Sequence, residues 1–242
     1  MYTFISKVGR KVCVMFKRNM STAVLCYLVM MCGLVLAGCG KKPGTQMFTY
    51  VKKDDATIEI TGFTDAAKEQ SSFIIPTEID GIKVTSVARE SFRDCANIKE
   101  ISIAEGVETI GENAFLGCYN LETINFPSTI ESVGTNVVKN TIWEKNEYEQ
   151  YGAVIINNIL VQNVQSEYKL PDGIKKIASG VFYGNTQLTK IDMGSSLEEI
   201  GTYAFAGCTG ITELSIPSSV KNIGYGAFSQ CTNLTVSVPD TV

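Results

Sequence analysis

A phenylalanine recurs along this chain at a step of 23 residues: Phe92 and Phe115, with Val138 in the third place, then Phe182, Phe205 and Phe228. The neighbours of each mark recur with it. Five positions earlier stand Val87, Ile110, Val133, Ile177, Ile200 and Ile223, and six positions later Ile98, Leu121, Leu188, Ile211 and Leu234. Columns that stay apolar in copy after copy belong inside. Nine and eleven positions past the mark, Ile101 and Ile103, Ile124 and Phe126, Ile191 and Met193, Leu214 and Ile216 alternate with polar residues, the period of a half-buried strand. One such unit cannot bury its own apolar side, but stacked copies cover one another. The repeat predicts a β-rich solenoid of about six 23-residue coils rather than a globule.

Other columns assign the turns. Pro127 and Pro217 follow the strand directly, with Pro171 in the same column, and a residue without an N–H ends a ladder. Gly111, Gly134, Gly201 and Gly224 share a column with Ala88 and Ala178. Since alanine is accepted there, close backbone packing rather than a positive φ is the reason for glycine. Cys95, Cys118, Cys208 and Cys231 form a further column. Neighbouring coils would bring Cys95 beside Cys118 and Cys208 beside Cys231, about one strand spacing (~4.8 Å) apart, with side chains stacked in parallel rather than converging. Either buried free thiols or two disulfides would satisfy this column.

The run Leu121-Glu122-Thr123-Ile124-Asn125-Phe126 has the L-x-x-L-x-L order of leucine-rich repeats. The fuller pattern Ile-Gly-x-x-Ala-Phe-x-x-Cys-x-x-Leu-x-x-Ile-x-Ile-Pro, nearly complete at Ile110–Pro127 and Ile200–Pro217, resembles the BspA-type repeat of bacterial surface proteins. The resemblance covers roughly residues 71–242. It implies the α/β leucine-rich repeat fold and a binding role, with host matrix proteins or glycans as ligands.

Between Val138 and Phe182 the step is 44, one repeat plus 21 residues, an insertion at about 140–165. Trp143, Tyr148 and Tyr151 are read there as lying on a loop, either offering aromatic contacts to a ligand or packing the insertion onto the solenoid flank. After them, Ala153–Val161 places two apolar runs about Asn157-Asn158 and predicts a β-hairpin. Similar hairpin inserts are implied by the resemblance. At the entrance, Phe48–Val51 and Thr57–Phe63 flank a polar turn, so residues 48–70 are expected to form a hairpin that caps the exposed end of the core. The first copy carries five extra residues between Ile75-Pro76 and Val87. The last copy runs through Leu234, Val236, Val238 and Pro239 without a polar cap, leaving a partner, a dimer contact or fraying at that end.

Before the repeats, Lys7, Arg10, Lys11, Lys17 and Arg18 precede an apolar stretch shorter than the ~20 residues that span a bilayer. Leu36-Ala37-Gly38-Cys39 resembles the lipobox of bacterial lipoproteins. The expectation is a signal peptide over 1–38, lipidation of Cys39, a tether over 39–47, and a mature chain held outside the cytoplasm at the membrane. Removing 1–38 takes five basic and no acidic residues from the 21 and 25 of the chain, leaving a net charge of −9. So acidic a chain is a poor nucleic-acid partner.

With no histidine, Ser-His-Asp and Cys-His machinery are excluded. Glu198-Glu199 and Glu144, Glu147 and Glu149 are the acids weighed for glycoside chemistry, with solvated surface acids as the alternative. No catalytic residue, metal or cofactor is expected. Binding is expected instead at the polar strand positions, eight and ten past each mark: Glu100 and Ser102, Thr123 and Asn125, Lys190 and Asp192, Glu213 and Ser215. A solenoid displays such positions together as an extended face. The expected partner is a protein or glycan. Envelope assembly with another bacterial protein and a role accessory to a polysaccharide-acting enzyme are the rival functions.

Overall fold

A computed structural model describes residues 47–67 and 69–240; the expected signal segment, Cys39 and most of the tether lie outside the described residues. The described part falls within one compact unit. Each coil lays a strand into a first ladder, turns, adds a two-residue strand to a second ladder, and closes through the turn that holds the Phe mark. In the first ladder Ser72–Ile75, Glu100–Ile103 and Thr123–Asn125 pair in parallel, with Phe73 opposite Ile101 and Ile101 opposite Ile124. After the insertion Glu167–Lys169 pairs with Lys190–Asp192, and Glu213–Ser215 with Thr235–Ser237.

The second ladder holds more rungs than the six coils expected from the Phe column. Thr57–Phe63 pairs in parallel with Ile82–Val87, and Ile159–Gln162 with Lys176–Ile177, so the inner strand of each hairpin serves as a rung. With Thr109–Ile110, Ser132–Val133, Glu199–Ile200 and Asn222–Ile223 the count reaches eight among the described residues, four in each of two sheets that meet at the insertion. Both hairpins are antiparallel, as expected: Phe48–Lys52 with Thr57–Phe63, and Val154–Ile156 with Ile159–Gln162. Asn157 turns the second with φ 54°, the left-handed conformation that Asn tolerates. The extra residues of the first copy form a third hairpin, Glu78–Ile79 with Ile82–Val87. Its turn is Asp80-Gly81, both at positive φ, the usual signature of a two-residue hairpin loop.

The Phe marks form a ring stack. Phe92 and Phe115 lie 5.3 Å apart with nearly parallel rings, Phe182 and Phe205 4.9 Å, Phe205 and Phe228 5.5 Å. At the entrance the hairpin contributes Phe48 and Phe63, which both meet the Phe92 ring and also pack on Phe73, covering the first coil. The stack breaks at Val138, where the insertion begins. There the buried side chains divide into two clusters, with Val138, Val154, Ile156, Ile159 and Val161 in the first and Ala153, Leu160 and Leu170 in the second.

The turn segments are also stitched, each N–H donating to a carbonyl of the following coil. Phe92 N donates to Ala114 O, Phe115 N to Val137 O, Phe182 N to Ala204 O and Phe205 N to Ala227 O, all at 2.8–2.9 Å. Among the described residues no such backbone bond joins 135–139 to 180–184.

The glycine column behaves as the repeat implies. A Cβ at Gly201 would stand 2.6 Å from both the Ala178 carbonyl carbon and the Ser179 nitrogen, and Gly111, Gly134 and Gly224 meet the preceding coil as closely. None of these four has a positive φ. The two alanines of the column have a common cause. Ala88 donates its N–H to Ile60 O and Ala178 to Leu160 O, so each stacks on a hairpin strand rather than on another coil. The four cysteines are free. Cys118, Cys208 and Cys231 each donate Sγ–H to the carbonyl of the Phe one coil earlier, Phe92, Phe182 and Phe205, at 2.9–3.0 Å. Burial pushes the Cys118 and Cys208 thiols up to about 12, out of the range of reactive thiolates.

One reading needs correction: Trp143, Tyr148 and Tyr151 do not lie on a loop but on an α-helix, Ile142–Tyr151. Thr141 caps it, accepting from Glu144 N at 2.9 Å, while the Glu144 carboxylate accepts from Asn140 N at 2.6 Å. Such reciprocal capping satisfies donors that a helix start leaves open. Gly152, at φ 71°, closes the other end by donating its N–H to Tyr148 O.

Candidate ligand-binding surface

The helix takes the place that the repeat assigns to a strand. Thr141 stands three past Val138, so the first-ladder strand of this coil would fall at 146–148, inside the helix. Trp143 N donates to Leu121 O at 2.8 Å, and the Trp143 ring packs edge-on against Phe126, 5.6 Å between centroids. At the other side Glu144 accepts from the Gln162 amide, and the Tyr148 hydroxyl accepts from Val164 N, just before the strand Glu167–Lys169. The helix thus bridges the two halves of the first ladder. Of the two roles weighed for Trp143, packing onto the flank is the one the geometry gives. Tyr148 is half-buried, which raises its hydroxyl pKa, and Tyr151 stays exposed.

The eight polar strand positions are consequently not one sheet. Glu100 and Ser102 stand opposite Thr123 and Asn125 in register, and Asn125 Nδ2 donates to Ser102 Oγ at 3.0 Å. Ser72 and the exposed Ile74 extend this patch. Lys190 and Asp192 lie opposite Glu167 and Lys169, with Lys169 Nζ 3.9 Å from Asp192. Glu213 and Ser215 lie opposite Thr235 and Ser237. Counting from the Phe marks misses Ser72, Ile74, Glu167 and Lys169, because those strands belong to coils whose own mark is absent. The signal for them is register with the next coil, Ile74 to Ser102 and Glu167 to Lys190.

Of the acids weighed for glycoside chemistry, Glu198, Glu199 and Glu149 are engaged in ion pairs and Glu144 in the helix cap. Lys175 and Lys221, one coil to either side, each donate to Glu198 at 2.7 Å, and these hydrogen bonds with their charges hold its carboxyl down at about 2. Lys176 lies 2.8 Å from Glu199. A carboxyl held ionised in this way is the opposite of a general acid, which needs a raised pKa. Glu144 is committed to the helix cap, while burial raises the Glu147 carboxyl. Beside Glu198 and Glu199, a cavity of 290 Å³ is lined by Glu131, Asn157 and Asn158 at the tip of the inserted hairpin, with Lys175 and Lys176. Among the described residues no helix is long and apolar enough to cross a membrane.

Comparison with known proteins agrees with this architecture. The family model described as "BspA type Leucine rich repeat region" matches six copies over residues 57–143 and 153–241, omitting the segment occupied by most of the helix. A comparison with curated sequences finds no match. Among solved structures, the T. pallidum leucine-rich repeat protein TpLRR is 24% identical, covering 83% of this chain and 72% of its own, with a TM-score of 0.37. A leucine-rich repeat protein from Bacteroides ovatus is 22% identical over 81% of this chain, which spans about half (53%) of that protein, with a TM-score of 0.37. The pneumococcal vaccine antigen PcpA is 15% identical, with 84% and 82% covered and a TM-score of 0.33. Six family copies over most of the described chain, on a solenoid with the Phe, Gly and Cys columns of the repeat, place this protein in the BspA-type leucine-rich repeat family.

Proposed function

We infer that the chain is a bacterial surface lipoprotein, tethered at the membrane through a lipidated Cys39, whose solenoid binds a protein or glycan ligand in adhesion to a host. The observation that carries this reading is the register of the first ladder. It sets non-repeating polar side chains, Glu100 beside Thr123 and Ser102 beside Asn125, at fixed spacing on a rigid surface. Rigid display lowers the ordering cost of association, which is where recognition by such scaffolds gains affinity. The acidic net charge of the mature chain favours basic protein patches or neutral glycans over phosphate backbones. Glu198, held ionised between two lysines, and Glu144, committed to the helix cap, support a binding role over a catalytic one.

The test is binding of purified residues 42–242, one compact unit, to matrix proteins, glycans and cell-wall fragments. Selective capture of a host ligand, weakened by Glu100→Ala/Asn125→Ala, supports adhesion. Capture of an envelope protein alone would move the chain to the assembly role, and release of cleaved glycan would overturn the non-enzymatic reading.

A further inference from the structure

The two halves of the solenoid differ in their turn faces. In the coils after the insertion, residues 177–189, 200–212 and 223–235 contain no charged side chain. In the first coil the matching stretch, 87–99, holds Arg89, Glu90, Arg93, Asp94 and Lys99, and the second, 110–122, holds Glu112 and Glu122. These early turns are knit by ion pairs, Arg93 to Glu90 at 3.1 Å and Arg89 to Glu112 at 3.5 Å. On a chain this acidic, three successive uncharged turns are a distinct surface.

That surface carries exposed aromatic rings. Tyr183, Tyr203 and Tyr225, one per coil, are 68%, 39% and 78% exposed. Their coils are joined through the turn stack, Gly180 N to Thr202 O and Tyr203 N to Tyr225 O, both 3.0 Å. Tyr203 and Tyr225 meet edge-to-face at 5.6 Å. The pair is seated by Gly226, where any Cβ would run into the Tyr203 ring. On the same uncharged turns Thr186, Gln187, Gln230, Thr232 and Asn233 are exposed, all hydroxyls and amides.

We propose that this turn face is a binding platform for a neutral polysaccharide chain. The proposal rests on the reading of the protein as a binding scaffold and names a ligand class and a surface for it. Hexoses present a C–H face that stacks on an aromatic ring, and hydroxyls that exchange hydrogen bonds with amide and hydroxyl side chains. The successive turns repeat at about the coil spacing of ~4.8 Å, close to the rise of one sugar unit in an extended chain. A protein partner would call for something else. Protein hot spots seat aromatic anchors in desolvated, well-packed pockets. Here the large apolar groups exposed on the three turns are the tyrosine rings themselves, standing on glycine, hydroxyl and amide groups. Absence of charge also fits an uncharged ligand, because an ionic one would find no counter-charge on this face.

The test uses the full chain in mild detergent, run in native gels cast with soluble β-glucan, xylan, mannan or dextran, and with hyaluronan as an acidic control. Retardation by at least one neutral polymer and none by hyaluronan is expected. Tyr183→Ala/Tyr225→Ala should weaken it about tenfold or more, while Tyr119→Ala, an exposed ring on the early turns, leaves it unchanged. Both tyrosines are exposed, so an unaltered circular-dichroism melt checks that the variant folds. No retardation by any neutral polymer, or retardation that survives loss of both rings, overturns the proposal. Capture of a matrix protein that depends on these tyrosines also overturns it, giving the face to a protein. If no neutral polymer is retarded while matrix proteins still bind, the scaffold reading stands without this platform. Binding to nothing in either panel sinks both.

Discussion

Gly201→Ala adds one methyl group at the tightest kind of contact between coils. The new Cβ would stand 2.6 Å from the Ala178 carbonyl carbon and from Ser179 N, about 1 Å inside ordinary contact, and both are backbone atoms that cannot rotate away. To relieve it the coils must part, yet Gly201 N is bonded to Ile177 O at 2.8 Å and Gly180 N to Thr202 O at 3.0 Å. Overpacking of this type costs about 1–3 kcal/mol. At roughly 2–4 °C per kcal/mol for a domain of this size, the melting midpoint should fall by about 2–12 °C. The measurement is thermal and urea unfolding of residues 42–242 followed by far-ultraviolet circular dichroism. Ala178→Gly is the control in the same column: its neighbour is a hairpin strand, and its cost should be only the ~0.5–1 kcal/mol of added backbone freedom. A Gly201→Ala protein that melts within 1 °C of wild type would refute the idea that close coil approach, rather than local conformation, selects glycine here.

Replacing Cys39 by Ala should move the protein from the membrane fraction to the soluble one, and retention after detergent-free washing would count against lipidation. In residues 42–242, alkylation at pH 8 without reductant should label four thiols after unfolding, with Cys118 and Cys208 labelling far more slowly when folded because burial pushes them to about 12. Recovery of fewer than four would mean that the column forms disulfides. Glu198, depressed from 4.5 to about 2, contributes stability that is present above its unfolded pKa and lost as pH falls through the folded value. Wild type should therefore melt slightly above Glu198→Gln at pH 6, the pair being exposed and screened, and the gap should close between about pH 4.5 and pH 2. A gap unchanged at pH 2 would show that the lysines on either side do not act through this carboxylate.

The parts of the fold written in side-chain size and polarity were legible in the sequence. The buried Phe stack, the glycines pressed on the preceding coil and the Asn157 hairpin each leave a column or a local signature. The helix Ile142–Tyr151 was not, because none of its residues is fully buried and so no apolar stripe of helical period marks it. Its signal lies in the ends, Thr141 and Glu144 as a capping pair and Gly152 as a terminator. Six marks could not reveal eight rungs, since Thr57–Phe63 and Ile159–Gln162 join the second ladder without a Phe turn of their own. The polar strand positions were placed on the correct strands, but their division by the helix depends on where the insertion docks. The tyrosine face escaped column reading for a related reason: Tyr183, Tyr203 and Tyr225 occupy three different columns, and Tyr203 and Tyr225 meet only when the turns stack.

In a linear array, stability is a sum over units and over the contacts between neighbours. The coils on either side of the insertion lack the turn-to-turn backbone bonds that join the others, and their rings do not stack across Val138. This junction is a seam, and tension along the array would open it first. Besides the helix, the inserted hairpin crosses it, turning Val154, Ile156, Ile159 and Val161 toward one core and Ala153 and Leu160 toward the other. It works as a dovetail joint, locking two short stacks together without requiring their repeats to match.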